Sequence, residues 1–164
     1  MESEIKIGDV NIFISREYNF NDRPVIIFLH ESLGCTELWR DFPAKLGEKT
    51  KFNILVYDRQ GHGRSGPFIS DKRKNDYMED EANTLNELMQ ECQIKNAILY
   101  GHSDGGTIAL LAASKYPSKI SGVITEAAHV FVEEVTLEGI RKAVETFHST
   151  DLKQKLMKYH GGKT

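Results

Sequence analysis

Ala97-Ile98-Leu99-Tyr100-Gly101-His102-Ser103-Asp104-Gly105-Gly106-Thr107-Ile108-Ala109-Leu110-Leu111 joins an apolar run to a small-residue helical pattern through a glycine-rich turn carrying one serine. It reads as strand, elbow, helix. Gly101, Ser103 and Gly105 spell G-x-S-x-G, a turn that lifts a nucleophilic hydroxyl above the end of a parallel sheet. A residue forced into a strained backbone conformation there crowds its neighbours two positions away, so positions without a β-carbon are needed on both flanks. The helix that follows aims its free N–H groups and positive end at the serine, which suits an anion forming beside it. Ser103 is therefore the candidate nucleophile, and the Asp104 main-chain N–H the first donor to an oxyanion.

Working outward, the elbow strand has the neighbours a parallel sheet requires. Val25-Ile26-Ile27-Phe28-Leu29 and Asn53-Ile54-Leu55-Val56-Tyr57 are continuous apolar runs rich in β-branched residues, the pattern of strands buried on both faces. Ile120 to Thr125 is the last strand candidate. Ahead of them, Glu4 to Ser15 alternates around Gly8-Asp9, which predicts a β-hairpin. Leu38, Trp39, Phe42 and Leu46 recur at helical spacing and predict one helix, with Trp39 a packing residue. Met78, Ala82, Leu85, Leu88, Met89 and Cys92 predict a second, and the alanine-rich helix after Ser103 stops at Tyr116-Pro117. After the last strand the pattern is helical: Leu137, Ile140, Val144 and Phe147 share one face, as do Leu152, Leu156 and Tyr159 beyond the Ser149-Thr150-Asp151 cap cluster.

Two loops bear on chemistry. His30-Glu31-Ser32-Leu33-Gly34 follows the first parallel strand, where an acyl-transfer site draws its second oxyanion donor; position assigns that role to the Ser32 N–H. Asp58-Arg59-Gln60-Gly61-His62-Gly63-Arg64-Ser65-Gly66 contains G-x-G-x-x-G, the fingerprint of a dinucleotide site. Such a site needs its first glycine at the strand end and a helix opening directly after the third. Here Asp58-Arg59-Gln60 intervenes and Pro67 follows, so the stretch reads as a structural turn.

The elbow Gly101-His102-Ser103-Asp104-Gly105-Gly106, the turn Asp58 to Ser65 and the segment Ala128-His129-Val130-Phe131-Val132 together resemble the α/β-hydrolase superfamily. Within it they are most similar to capped small-molecule serine hydrolases, the group that includes valacyclovir hydrolase and the meta-cleavage product hydrolases. The resemblance covers nearly the whole chain and implies an incomplete α/β-hydrolase fold: a mostly parallel sheet with an N-terminal hairpin, flanking helices and the start of a helical cap. Residues 1–130 would be the N-terminal part of the core and 131–164 the beginning of the cap. It implies hydrolysis of a small-molecule carboxylic ester through an acyl-enzyme on Ser103, without cofactor or metal; the alternative is cleavage of a carbon–carbon bond next to a ketone. Glu31, His102, Glu126 and His129 are the candidate pocket residues.

Relatives of this kind place the triad acid and histidine, in that order, in loops after strands beyond the last one read here. None of His30, His62, His102, His129, His148 and His160 is read as the general base. The chain alone is expected to be inactive, and strand 120–125 to be an exposed edge that pairs with a second copy or with a C-terminal fragment. An inactive binding module that keeps the pocket, and a nucleotide-binding domain using Gly61 to Gly66, are the competing functional classes.

Composition sets the remaining bounds. A chain of 164 residues with 21 Lys and Arg against 24 Asp and Glu has a net charge of −3, which gives no reason to expect nucleic acid as a partner. The mixed charges between Ser70 and Glu81 predict a solvated surface. No apolar run spans a bilayer and the opening residues lack a signal-peptide core, so neither membrane nor export is expected and a cytoplasmic location is the default. Cys35 and Cys92 are in no metal spacing and are expected as free thiols.

Overall fold

The computed structural model describes residues 1–69 and 73–163. Ser70, Asp71 and Lys72 of the charged stretch, and Thr164, lie outside them. Six strands form one sheet in the order β1-β2-β4-β3-β5-β6. β1 (Glu2–Ile7) and β2 (Val10–Glu17) are the hairpin, turning at Gly8, whose φ of 56° is one that glycine adopts without steric cost. β2 runs antiparallel to β4 (Asn53–Tyr57), while β3 (Val25–Leu29), β4, β5 (Ala97–His102) and β6 (Ile120–Glu126) are mutually parallel. This is the partial α/β-hydrolase architecture that the sequence implied.

Alternation along the central strands divides the core in two. Ile27, Leu29, Leu55, Tyr57, Ala97 and Leu99 face α2 (Tyr77–Glu91) and α3 (Asp104–Lys115), packing with Leu85, Leu88, Ile108 and Ala109. Ile26, Phe28, Ile54 and Val56 face the opposite side, against Trp39 and Leu46. There Phe28, Trp39, Phe42 and Tyr100 form an aromatic cluster with ring centroids 5.1–6.3 Å apart, so Trp39 does pack.

The helix predicted from Leu38 to Leu46 is in fact two pieces. Thr36–Trp39 is a single 3₁₀ turn, the chain swings through Arg40 at φ 53°, and α1 runs over Phe42–Thr50. Pro43 explains the break: inside a continuous helix its ring would meet the Trp39 carbonyl, whereas in the first turn of α1 its missing N–H costs nothing.

Beyond β6, α4 (Glu134–Ser149) and α5 (Leu152–His160) form a helical pair. Its far end is pinned to the turn after β4. The Gly63 N–H donates to His160 Nδ1 at 2.9 Å, His160 Nε2–H donates to the Leu33 carbonyl at 3.0 Å, and Lys163 Nζ donates to the Gly63 and Ser65 carbonyls. Both cysteines are free, and no helix among the described residues is long and apolar enough to cross a membrane.

Candidate active site

Ser103 sits between β5 and α3 with φ 51° and ψ −119°, outside the regions an L-residue ordinarily occupies. The turn tolerates this because its flanks lack side chains: a β-carbon on Gly101 would run into the Gly105 carbonyl, and one on Gly105 into the Leu29 carbonyl. Main-chain bonds fix the strained residue from both sides. Its N–H donates to the Glu126 carbonyl at 2.8 Å, and its carbonyl accepts from the N–H groups of Gly106 and Thr107.

The loop after β3 faces this elbow, and its carbonyls are held inward. The Glu31 carbonyl accepts from the Gly34 N–H at 3.1 Å and from Arg59 Nη2 at 2.9 Å, with His30 Nδ1 at 2.7 Å. A trans peptide is planar, so the Ser32 N–H points the opposite way from that carbonyl, away from those donors. The Ser32 carbonyl lies 2.8 Å from His62 Nε2, and His62 Nδ1 lies 2.9 Å from the Gln60 carbonyl. The Ser32 hydroxyl donates to Asp104 Oδ2 at 2.7 Å, joining the two loops that bear the expected oxyanion donors. Among the described residues neither the Ser32 N–H nor the Asp104 N–H is paired with an acceptor.

A cavity of about 960 Å³ opens above Ser103, roofed by α4. Polar groups gather at its floor: Ser32, Tyr77, Ser103, Asp104 and His129. Leu33, Met78, Phe131, Ile140, Val144 and Phe147 make most of its wall apolar. Tyr77 donates its hydroxyl to Asp104 Oδ2 at 2.8 Å. Burial first, and the Asp104 charge next, push its phenol up to about 12, so it stays a donor at neutral pH.

The four expected pocket residues divide. Glu31 and His129 line the cavity; His102 and Glu126 stand outside its lining. Glu31 Oε2 lies 3.6 Å from His102 Nδ1, and Glu126 Oε2 accepts from the Tyr100 hydroxyl at 3.3 Å. His129 Nε2 is 3.5 Å from Ser103 Oγ. Sequence reasoning missed Tyr77 and Thr107. Both act through contacts between segments more than 20 residues apart, for which a single sequence carries no local signal.

The glycine-rich stretch after β4 is a turn built on Asp58. The Asp58 carboxylate accepts the N–H groups of Thr36 and Arg64 at 2.5 and 2.8 Å, and Gly61 and Gly63 take φ of 77° and 47°. Among the described residues no helix opens there, the next one beginning at Tyr77. That removes the helix N-terminus on which a dinucleotide pyrophosphate would rest. Among the described residues no group of three or more His, Cys, Asp or Glu could hold a metal ion.

Comparison with known proteins gives the same architecture. The family model described as alpha/beta hydrolase fold matches residues 24–156. Serine hydrolase BPHL of Homo sapiens is 35% identical over 121 residues, covering 71% of this chain and 40% of the human protein. The 2-(acetamidomethylene)succinate hydrolase of Mesorhizobium japonicum is 26% identical over 121 residues, 74% of this chain and 41% of that enzyme. A structure from work on carboxylesterases of the thaumarchaeon Nitrososphaera gargenis superposes with a TM-score of 0.77 at 20% identity, over 90% of this chain and 53% of that one. The chain thus spans about two fifths of the length of these two curated relatives.

Proposed function

Because this chain belongs to the α/β-hydrolase fold family, we propose that it carries the nucleophilic half of a serine hydrolase acting on a small-molecule carboxylic ester. Ser103 attacks the acyl carbon, the N–H groups of Ser32 and Asp104 receive the oxyanion, and an alcohol departs to leave an acyl-enzyme that water releases. The observation that carries this reading is Ser103 itself: a non-glycine residue at φ 51° on a strand-to-helix turn, its hydroxyl opening into a largely apolar cavity. Strain of that kind persists where the surroundings over-determine it, and here two glycines and three main-chain hydrogen bonds do so. The name of the human relative, a serine hydrolase, points the same way.

In this reading residues 131–164 begin a cap whose apolar face shapes the acyl or alcohol side of the substrate, and 120–125 is a sheet edge open to a partner. His129 approaches Ser103, but among the described residues no carboxylate is bonded to His129, so a three-member relay is not assembled by them. A fluorophosphonate probe tests the assignment. Labelling of the chain that disappears in Ser103→Ala is the expected result. Labelling that persists in Ser103→Ala removes Ser103 as the nucleophile. No labelling, with apolar esters still bound, favours the binding-module reading.

A further inference from the structure

We propose that Arg59 is a positioning residue for the oxyanion: its buried guanidinium, bonded to the Glu31 carbonyl, orients the Ser32 N–H on the same peptide and strengthens it as a donor. This rests on the serine-hydrolase reading above and adds to it the group that prepares the second oxyanion donor.

Arg59 follows Asp58 in the turn after β4 and is fully buried, an unusual setting for a guanidinium. It ties the ends of β3 and β4 together twice. Its main-chain N–H donates to His30 Nε2 at 3.0 Å, which leaves the ring proton of His30 on Nδ1, facing the Glu31 carbonyl at 2.7 Å. Its side chain reaches the same carbonyl, with Nη2 at 2.9 Å. Three donors therefore surround the Glu31 oxygen: the Gly34 N–H, His30 Nδ1–H and Arg59 Nη2–H. Burial, and then the Arg59 charge itself, hold His30 well below its ordinary value and so neutral, which leaves Arg59 as the one charged donor of the three.

The rest of the guanidinium is poorly matched. Among the described residues Arg59 makes no ion pair and its Nε–H has no partner; Glu81 of α2, whose charge is coupled to Arg59, also leaves Oε2 without one. A buried cation bonded to one carbonyl costs the fold more in lost hydration than that bond returns. What the cation supplies is field and direction. A charge-assisted bond to a carbonyl draws electron density along the peptide, so the N–H at its other end donates more strongly. The planar trans peptide aims that N–H away from the guanidinium, and Ser32 lines the cavity beside Ser103. The field reaches the cavity floor: the Tyr77 phenol, pushed up by burial first and by Asp104 next, is drawn down by Arg59. An anion formed at Ser103 meets the same field with the favourable sign.

The test compares two probes on the whole chain. Phenylethylboronic acid takes Ser103 Oγ as the fourth ligand of boron, releases the hydroxyl proton to buffer, and becomes an anionic tetrahedral adduct visible by boron NMR. Phenylpropanamide is its neutral, unreactive counterpart. Both are titrated into wild type, Ser103→Ala, Arg59→Met, Arg59→Gln and Arg59→Lys, each checked for folding by circular dichroism. Ser103→Ala is expected to abolish the tetrahedral signal. Arg59→Met is expected to weaken the boronate by roughly tenfold, less than outright loss of an oxyanion donor, and to leave the amide unchanged. Arg59→Gln, which keeps a donor without the charge, is expected to match it and carries the test if Arg59→Met does not fold. Arg59→Lys is expected to recover most of the loss, because a single bond to a carbonyl needs the charge and one donor rather than the planar fork. Wild-type boronate affinity in a folded, uncharged variant, or equal weakening of both probes, overturns the role of Arg59 and leaves the hydrolase reading standing. Absence of any Ser103-dependent adduct in wild type overturns both.

Discussion

Buried histidines dominate the chemistry of the loop that carries Ser32. His62 has both ring nitrogens within 2.9 Å of carbonyl oxygens, a setting that favours the protonated ring, yet burial and the neighbouring Arg59 guanidinium outweigh it and hold the ring down to about 4. His30, tilted against it with ring centroids 4.9 Å apart, is held well below its ordinary value, first by burial and then by Arg59. In the unfolded chain both rings take up a proton near pH 6.5, whereas folded His62 does so only near 4. Between those values unfolding binds protons, so this part of the stability is fully present above about pH 6.5 and is lost as pH falls toward 4. For His62 alone the loss is about 3 kcal/mol. Urea unfolding at pH 7, 5.5 and 4 is expected to show the fall, with a shallower slope in His62→Gln; equal slopes would detach His62 from it. Asp104 gives a second expectation. Its carboxylate gathers the Ser32 and Tyr77 hydroxyls, so Asp104→Ala frees the Ser32 loop from the elbow. Ser103-dependent labelling should slow by roughly tenfold to a hundredfold, less than loss of an oxyanion donor outright, while apolar ligands bind as before.

Elements were legible where the signal is local. The hairpin strands were readable from alternation, the central parallel strands from β-branched apolar runs, and the elbow from three spaced residues, because a steric need for glycine is written at the position that has it. What stayed hidden depends on partners far along the chain. The Ser32 to Asp104 bond, the Thr107 to His129 bond and the Tyr77 hydroxyl each join segments separated by 22 to 72 residues. The break before α1 was local but overlooked, since apolar spacing outvoted Pro43. The same helix holds a packing detail that spacing does not show. Gly47 lies against β4, where an added β-carbon would stand 2.7 Å from Ile54 Cγ1 and 3.2 Å from the Phe52 carbonyl. Alanine normally strengthens a helix interior by about 1 kcal/mol over glycine. Here overpacking, at about 1–3 kcal/mol, opposes that gain. Gly47→Ala is therefore expected to lower the urea midpoint at unchanged m-value; a raised midpoint would mean that α1 shifts away from β4 without cost.

At the scale of the molecule the two ends of the sheet differ in kind. β1, at one edge, carries Glu2, Glu4 and Lys6, charges that discourage a further strand from adding. β6, at the other, is Ile-Ser-Gly-Val-Ile-Thr-Glu, uncharged until Glu126, and among the described residues no strand pairs with its outer side. Ile124 is 46% exposed there, and Val130, Phe131 and Val132 just beyond are more so. An uncharged edge beside an exposed apolar run is a template for a second copy of the same chain, because pairing satisfies the free N–H and C=O groups and covers the side chains together. The chain is accordingly expected to self-associate at micromolar concentration through β6. Light scattering across a dilution series should show a mass above that of the monomer, and Ile124→Lys, which sets a charge on the pairing face at a half-exposed position, should return it to the monomer. A monodisperse monomer in the wild type, or an association indifferent to Ile124→Lys, would place the contact elsewhere or remove it. Because β6 ends at Glu126, whose carbonyl holds the Ser103 N–H, strand addition at this edge should also steady the elbow. The Ser103-dependent labelling rate per chain is therefore expected to rise with concentration in the wild type and to stay flat in Ile124→Lys.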